Sequence, residues 1–353
     1  MVRKLRFLLL PFGIIYGTVM HVRNILYSNN ILKSFKIPIP SIVVGNLSTG
    51  GTGKTPHVEL LVKLLSEKYK IAILSRGYGR KTKGYIELNE KHSYLDVGDE
   101  PLQYFQKFES TVKVVVCENR KIGVEQLLKN HPEIEVLLLD DALQHRRVKG
   151  GFTILLSEFN KPFFRDLVLP GGNLREFRMG KKRADICVYT KCPSDFSAND
   201  EALYSRKFSK SQAKNTYFSS IHYGRIVSMT KTKEESIKDI LLITGIANPT
   251  PLEDYLNQTY NVESIHFSDH HSFNLEEMEE IHKIFDNFAR ESKIILTTEK
   301  DMIRLQGKDF TEIMAKYPWY YIPIQIDINK EEQFKQEIFN YVEEASRNSR
   351  LHS

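Results

Sequence analysis

The run Ser48-Thr49-Gly50-Gly51-Thr52-Gly53-Lys54-Thr55 contains the residue types that hold a polyphosphate. Its glycines let backbone N–H groups turn toward phosphate oxygens with no Cβ in the way. Lys54 is spaced to reach the β- and γ-phosphates of a nucleoside triphosphate, and the Thr55 hydroxyl to ligate magnesium. Ser48 stands where the usual Walker A pattern has glycine. Such a site also needs an apolar strand ending in carboxylate, and Val136-Leu137-Leu138-Leu139-Asp140-Asp141 supplies one. At the carboxyl edge of a parallel sheet, Asp140 can hold magnesium directly or through water.

Three other segments carry chemistry with more than one reading. Gly98-Asp99-Glu100-Pro101 follows the turn Arg76-Gly77-Tyr78-Gly79-Arg80. It is either an acidic site or a helix start capped by Asp99, with Pro101 in the first turn. Between Lys161 and Arg183, seven Lys or Arg (Lys161, Arg165, Arg175, Arg178, Lys181, Lys182, Arg183) face only Asp166 and Glu176. Leu169-Pro170-Gly171-Gly172-Asn173-Leu174-Arg175-Glu176 lies within that stretch. Charge runs are usually solvated faces, but glycines interleaved with arginines fit an anion-binding loop for a second, phosphorylated substrate. In Phe267-Ser268-Asp269-His270-His271-Ser272-Phe273, adjacent histidines cannot both face one metal from a helix. Either one enters a cleft or both lie on the surface.

These groups need a frame to hold them. Ser41–Val44, Ile71–Leu74, Val112–Val116, Val136–Leu139, Phe152–Leu156 and Ile186–Tyr189 are continuous apolar runs separated by helix-length segments. Runs of that kind describe buried parallel strands with helices on both faces. The phosphate loop then sits between a strand and an amphipathic helix from about Pro56 to Tyr69. Between about Asp200 and Thr230 the pattern loosens into a connector with short strands near Tyr217–Ile221 and Arg225–Ser228. Strands resume at Ile240–Thr244, Val262–His266, Ile294–Thr297 and Trp319–Pro323, and a final helix runs over Glu331–Ala345. Cys117, Cys187 and Cys192 show no disulfide parity or CxxC spacing and read as reduced thiols.

The 353 residues carry 50 Lys+Arg against 44 Asp+Glu, and the excess is local. No acidic residue precedes Glu59, while Arg3, Lys4, Arg6, Arg23, Lys33, Lys36 and Lys54 all do. The remainder is close to neutral, which excludes a chain-wide polycation and a nucleic-acid partner. Phe7–Met20 is uncharged but only 14 residues long, short of the ~20 that span a bilayer. Gly13, Gly17, His21 and Asn24 form a small or polar stripe, opposite Phe12, Ile14, Ile15, Tyr16, Val19, Met20, Val22, Ile25 and Leu26. A wide apolar surface flanked by bases reads as a helix lying in a membrane interface, with an ordinary buried helix as the rival. A secretory signal fits poorly, because no small-x-small site follows Tyr16.

In order, SxGGxGKTP, RGYGR, GDEP, LDDxxQHRR, LPxGxLRE, FxDHHxF and TxEKD resemble the tetraacyldisaccharide 4′-kinase family, over nearly the whole chain. Gly171 stands where that family commonly has Ala, and Asn173 where it has Pro. The resemblance implies transfer from ATP, with Mg2+, to the 4′-hydroxyl of an acylated glucosamine disaccharide 1-phosphate in lipid A biosynthesis. It implies an α/β fold of two α/β/α domains with mainly parallel sheets, the first P-loop NTPase-like, joined by a short β linker. The expected division is a membrane-associating helical segment 1–36, a kinase domain 37–210, the linker 211–230 and a smaller α/β domain 231–353. By motif, Asp99 would be the base and His270 its dyad partner. Thr55, Glu100, Asp140 and Asp141 would serve magnesium; Asn173, Arg175 and Arg76 would contact substrate; Gln144, His145 and Arg146 would line the nucleotide cleft. The enzyme would work as a monomer at the cytosolic face of the inner membrane. A membrane-associated P-loop ATPase switch is the alternative, but those carry Lys where this chain has Thr49.

Overall fold

The computed structural model describes residues 7–209, 215–231, 236–288 and 292–351, so the early bases Arg3, Lys4 and Arg6 lie outside the described residues. Two sheets organise the chain. In the larger, nine strands run in the spatial order Ile324–Ile328, Thr216–Tyr223, Ile186–Thr190, Phe152–Glu158, Ser41–Asn46, Val136–Asp140, Ile71–Ser75, Val112–Val116 and Ile86–Glu87. All neighbours pair in parallel except at the two edges. The expected strands are present, each within two residues of its predicted ends. Every residue of Ser41–Asn46, Ile71–Ser75 and Val136–Asp140 is buried, which is why these strands read as unbroken apolar runs.

The second sheet has five strands, ordered Val227–Ser228, Trp319–Ile322, Lys293–Thr298, Asp239–Thr244 and Asn261–His266. Only the two-residue edge strand Val227–Ser228 is antiparallel. The core is layered accordingly. Val58, Leu61, Val62 and Leu65 of the phosphate-loop helix pack under the large sheet with Phe334, Ile338 and Val342 of the last helix. Leu241, Met278, Ile281 and Trp319 fill one side of the small sheet. Each such side chain contributes about 1.5–3 kcal/mol by leaving water. The three cysteines are buried and unpaired.

Two features differ from the expected layout. Thr216–Tyr223, expected within a linker, is an inner strand of the large sheet, parallel to Ile186–Thr190 and antiparallel to Ile324–Ile328. The expected division at residue 231 also fails to follow the sheets. After Pro323 the chain leaves the small sheet and returns to the large one as Ile324–Ile328, and the helix Glu331–Leu351 packs there too. The Tyr341 hydroxyl ties that helix to Ser41, accepting from its N–H at 3.0 Å and donating to its carbonyl at 2.9 Å. Proline marks the switch because it cannot donate to a ladder.

Candidate active site

The phosphate loop leaves the central strand Ser41–Asn46 and enters the helix Lys54–Leu65. Gly50 and Gly53 have φ of 103° and 81°, the left-handed region that side chains disfavour, and Gly53 caps the helix. The loop is held from several sides. Asn46 donates to the Thr52 hydroxyl at 2.8 Å, Thr190 to the Thr52 carbonyl at 3.0 Å, and the Thr49 N–H to the Asn173 carbonyl at 2.8 Å. His57 bridges the Gly53 carbonyl and the Ser219 hydroxyl, at 2.7 and 3.0 Å. Burial lowers its pKa to about 4, so it is a neutral structural brace.

Asp140 and Asp141 end the neighbouring strand in different surroundings. Asp140 is buried, with Oδ2 accepting from the Ser75 hydroxyl at 3.2 Å and Oδ1 lacking any partner among the described residues. Burial, and after it the charge of Glu100, push its carboxyl up to about 7 against the pull of Lys54. Asp141 turns out at φ 47° and meets Arg175 Nη1 with both oxygens, at 2.9 and 3.0 Å. Lys54 Nζ lies 3.8 Å from Asp141. An orphaned buried carboxylate oxygen beside a second carboxylate suits a hard cation. No three His, Cys, Asp or Glu among the described residues form a complete metal cage. Magnesium does not need one, since it commonly takes one or two carboxylates and completes its shell with phosphates and water.

Across the sheet edge, Asp99 begins the helix Asp99–Phe108 and is buried. Its position depends on two glycines in left-handed conformation: a Cβ on Gly77 would meet the Val97 carbonyl at 2.7 Å, and one on Gly98 the Tyr78 carbonyl at 2.9 Å. Thus the RGYGR turn packs directly on the GDEP turn. Asp99 Oδ2 accepts from His270 Nδ1 at 2.8 Å and from Arg304 Nε and Nη2 at 3.2 and 2.8 Å. Burial alone would raise this carboxyl, but the His270 hydrogen bond and the charges of Lys300 and Arg304 hold it well below the usual carboxylate range. His270 reaches it from the second sheet, in a left-handed turn at φ 60°, and its Nε2 lies 3.0 Å from Lys300 Nζ. His271 points elsewhere, bonding Glu277.

The basic loop lies on the other side of the phosphate loop. Arg175 contacts Asp141 and, at 3.4 Å, Gln144. The Asn173 amide is committed to Asp166 at 3.1 Å while its carbonyl takes the Thr49 N–H, so this residue braces the loop. Arg76 is exposed, and Arg76 with Arg120, after burial, holds His145 down to about 4. Buried Glu176 takes a forked pair from Arg183 and also binds Asn24 and Gln144. Through Asn24 this network seats the helix Leu10–Ser28. Its inner stripe is the predicted one: a Cβ on Gly13 would lie 3.1 Å from the Val168 carbonyl and one on Gly17 2.5 Å from the Phe177 ring, while His21 meets Phe177 edge-on. Phe12, Ile14, Ile15 and Val19 face outward, each more than 60% exposed. No helix among the described residues is long and apolar enough to cross a membrane.

The structure therefore gathers Lys54, Asp140, Asp141 and Arg175 around the loop, and Asp99 with His270 beside it. Sequence reasoning missed Arg304, Lys300 and Ser75. The signal for the first two was the TxEKD motif at a strand end, followed by an arginine three residues after its aspartate.

Comparison with known proteins adds a consistent set of likenesses. The family described as Tetraacyldisaccharide-1-P 4'-kinase matches residues 5–343. A tetraacyldisaccharide 4'-kinase of Flavobacterium psychrophilum is 43% identical over 98% of this chain and 99% of its own. That of Bacteroides thetaiotaomicron is 42% identical, covering 97% and 94%. A crystal structure of LpxK from Aquifex aeolicus in complex with ATP superposes with a TM-score of 0.72 at 30% identity, covering 96% of this chain and 99% of that one.

Proposed function

The chain belongs to the tetraacyldisaccharide 4'-kinase family, and from that premise we propose how its residues carry the reaction. The activity is ATP-dependent phosphorylation of the 4′-hydroxyl of a tetraacylated glucosamine disaccharide 1-phosphate, a step of lipid A biosynthesis. Phosphoryl transfer asks the protein for positioning and charge neutralisation more than for covalent chemistry. Backbone N–H groups of Gly50, Gly51, Gly53, Lys54 and Thr55 would cradle the phosphates, and Lys54 would reach the β- and γ-groups. The Thr49 and Thr52 N–H groups are held by the Asn173 and Gly50 carbonyls. Thr55, Asp140 and Glu100 would hold magnesium, which when bound would offset phosphate charge. Arg175, released from Asp141, and Arg76 meet phosphate of either substrate.

The observation that carries the proton step is the Asp99–His270 hydrogen bond between the two sheets. Asp99 was the expected base. A carboxylate whose Oδ2 already takes three donors, and whose basicity those donors depress, is a poor acceptor. The roles we favour are therefore those of a base and its orienter: His270 Nε2 accepts the 4′-hydroxyl proton, and Asp99 fixes the ring. The sugar oxygen forms its bond to the γ-phosphorus as the bond to the β-bridging oxygen breaks, and ADP leaves.

Membrane attachment is also part of this reading. Acyl chains of such a substrate stay in a bilayer, so the outward residues of the N-terminal helix rest in the cytosolic leaflet of the inner membrane. The test is turnover of labelled ATP with the acylated disaccharide 1-phosphate. His270→Ala and Asp99→Ala should each lose about 10²–10⁴-fold in kcat while still binding ATP. Wild-type turnover by His270→Ala would remove it as base.

A further inference from the structure

We propose that Lys300 is a positioning residue, which keeps His270 Nε2 unprotonated and reserves its lone pair for the sugar hydroxyl. The inference rests on the reading of His270 as proton acceptor. Lys300 lies in the first turn of the helix Glu299–Leu305, whose N-terminus is fixed by Thr298 accepting from the Asp301 N–H. Its ammonium is 3.0 Å from His270 Nε2 and 3.6 Å from an Asp269 oxygen.

An ammonium has three donors and no lone pair, so the nitrogen facing it must be the unprotonated one. The ring proton is then on Nδ1, where it meets Asp99 Oδ2 at 2.8 Å. Every charged group around the ring agrees with this assignment. Asp99 accepts from Nδ1, Arg304 keeps that carboxylate ionised and in place through two further bonds, and Asp269 balances the ammonium. The Tyr78 ring, 5.7 Å away, restricts tilting. Asp99 already demands a proton on Nδ1. Without Lys300 nothing in this arrangement chooses between that neutral ring and the doubly protonated one, and only the neutral ring can both donate to Asp99 and accept a proton. The incoming hydroxyl replaces the ammonium as donor to Nε2. Lys300 suits this exchange because its charge sits on a flexible four-carbon stem and its side chain is 26% exposed. Arg304, nearly fully buried, could not be exchanged in the same way.

The experiment compares full-length wild type, Lys300→Met, Lys300→Arg and His270→Ala with ATP and micelle-dispersed acylated disaccharide 1-phosphate. Alongside it, nitrogen NMR is recorded on histidine-labelled protein, with the His270 signals assigned by their loss in His270→Ala. Lys300→Met should lower kcat on the order of tenfold at an unchanged KM for ATP. Its His270 signals should move from those of one neutral tautomer to those of mixed ring forms. Lys300→Arg, which still donates a hydrogen bond, should recover part of both. Wild-type kcat and an unchanged ring spectrum in Lys300→Met overturn the proposal. So does an equal loss in both variants with an unchanged ring spectrum, since the cation would then act on substrate directly. An active His270→Ala overturns instead the proton-acceptor reading beneath it.

Discussion

Two adjacent aspartates show how far one residue of register matters. Asp140 is the last residue of a fully buried strand and keeps an unpartnered oxygen. Asp141 leaves the strand in a left-handed turn and spends both oxygens on Arg175. The motif alone could not divide their roles, because either can bind metal in sequence. Burial and pairing divide them. Asp140→Asn should raise the magnesium concentration for half-maximal activity by at least roughly 10–100-fold, the range seen when even an outer partner of a metal ligand is lost. A magnesium titration matching wild type would exclude Asp140 as a ligand. The loop and the aspartates were legible because local spacing encodes them. Asp99 and His270 instead came forward through the family resemblance, since the GDEP and DHH spacings alone also fit a helix start and a surface pair. Arg304 was not, since its partner Asp99 is 205 residues away and only the meeting of two sheets brings them together.

At the scale of elements, the meeting of the sheets rests on three helices joined by one lysine. Lys107 of the Asp99 helix lies 2.7 Å from Glu59 of the phosphate-loop helix and 2.7 Å from Glu299 of the helix carrying Lys300. Burial, with Glu299 adding to it, pushes Glu59 up to about 7 despite Lys107. An acid raised in the folded state binds more protons there than when unfolded, so it subtracts stability as pH rises from about 4.5 to 7. Lys107→Met removes the only cation of the three. It should cost about 3–5 kcal/mol in urea unfolding at pH 8, and less at pH 5, where the carboxylates can protonate. Equal losses at both pH values would show that packing, not charge, is what Lys107 supplies. The strand Ile324-Gln325-Ile326-Asp327-Ile328 was not among those expected, although its apolar and polar residues alternate. Its destination was unreadable, because nothing local says which of two sheets an edge strand joins.

Among the described residues, exposed large apolar side chains concentrate on the N-terminal helix, next to a loop rich in lysine and arginine. Its depth in the interface would follow from those outward side chains. Replacing Phe12, Ile15 and Val19 together by Ser should weaken binding to vesicles containing anionic lipid by on the order of 100-fold, with ATP binding retained. Equal sedimentation of variant and wild type with vesicles would refute the interfacial reading. The helix was recognisable from composition and stripe, and its seat on Val168 and Phe177 was not. The return of residues 324–351 to the large sheet has a further consequence, for synthesis. A ribosome releases the phosphate loop early, yet that sheet still lacks an edge strand, and its core still lacks Phe334, Ile338 and Val342. The small sheet can be built meanwhile, as a complete insertion in an unfinished host. The nascent chain cannot close its nucleotide-binding layer until residues 324–351 emerge, so a chain stalled or cut before them exposes that layer's apolar face to chaperones and proteases.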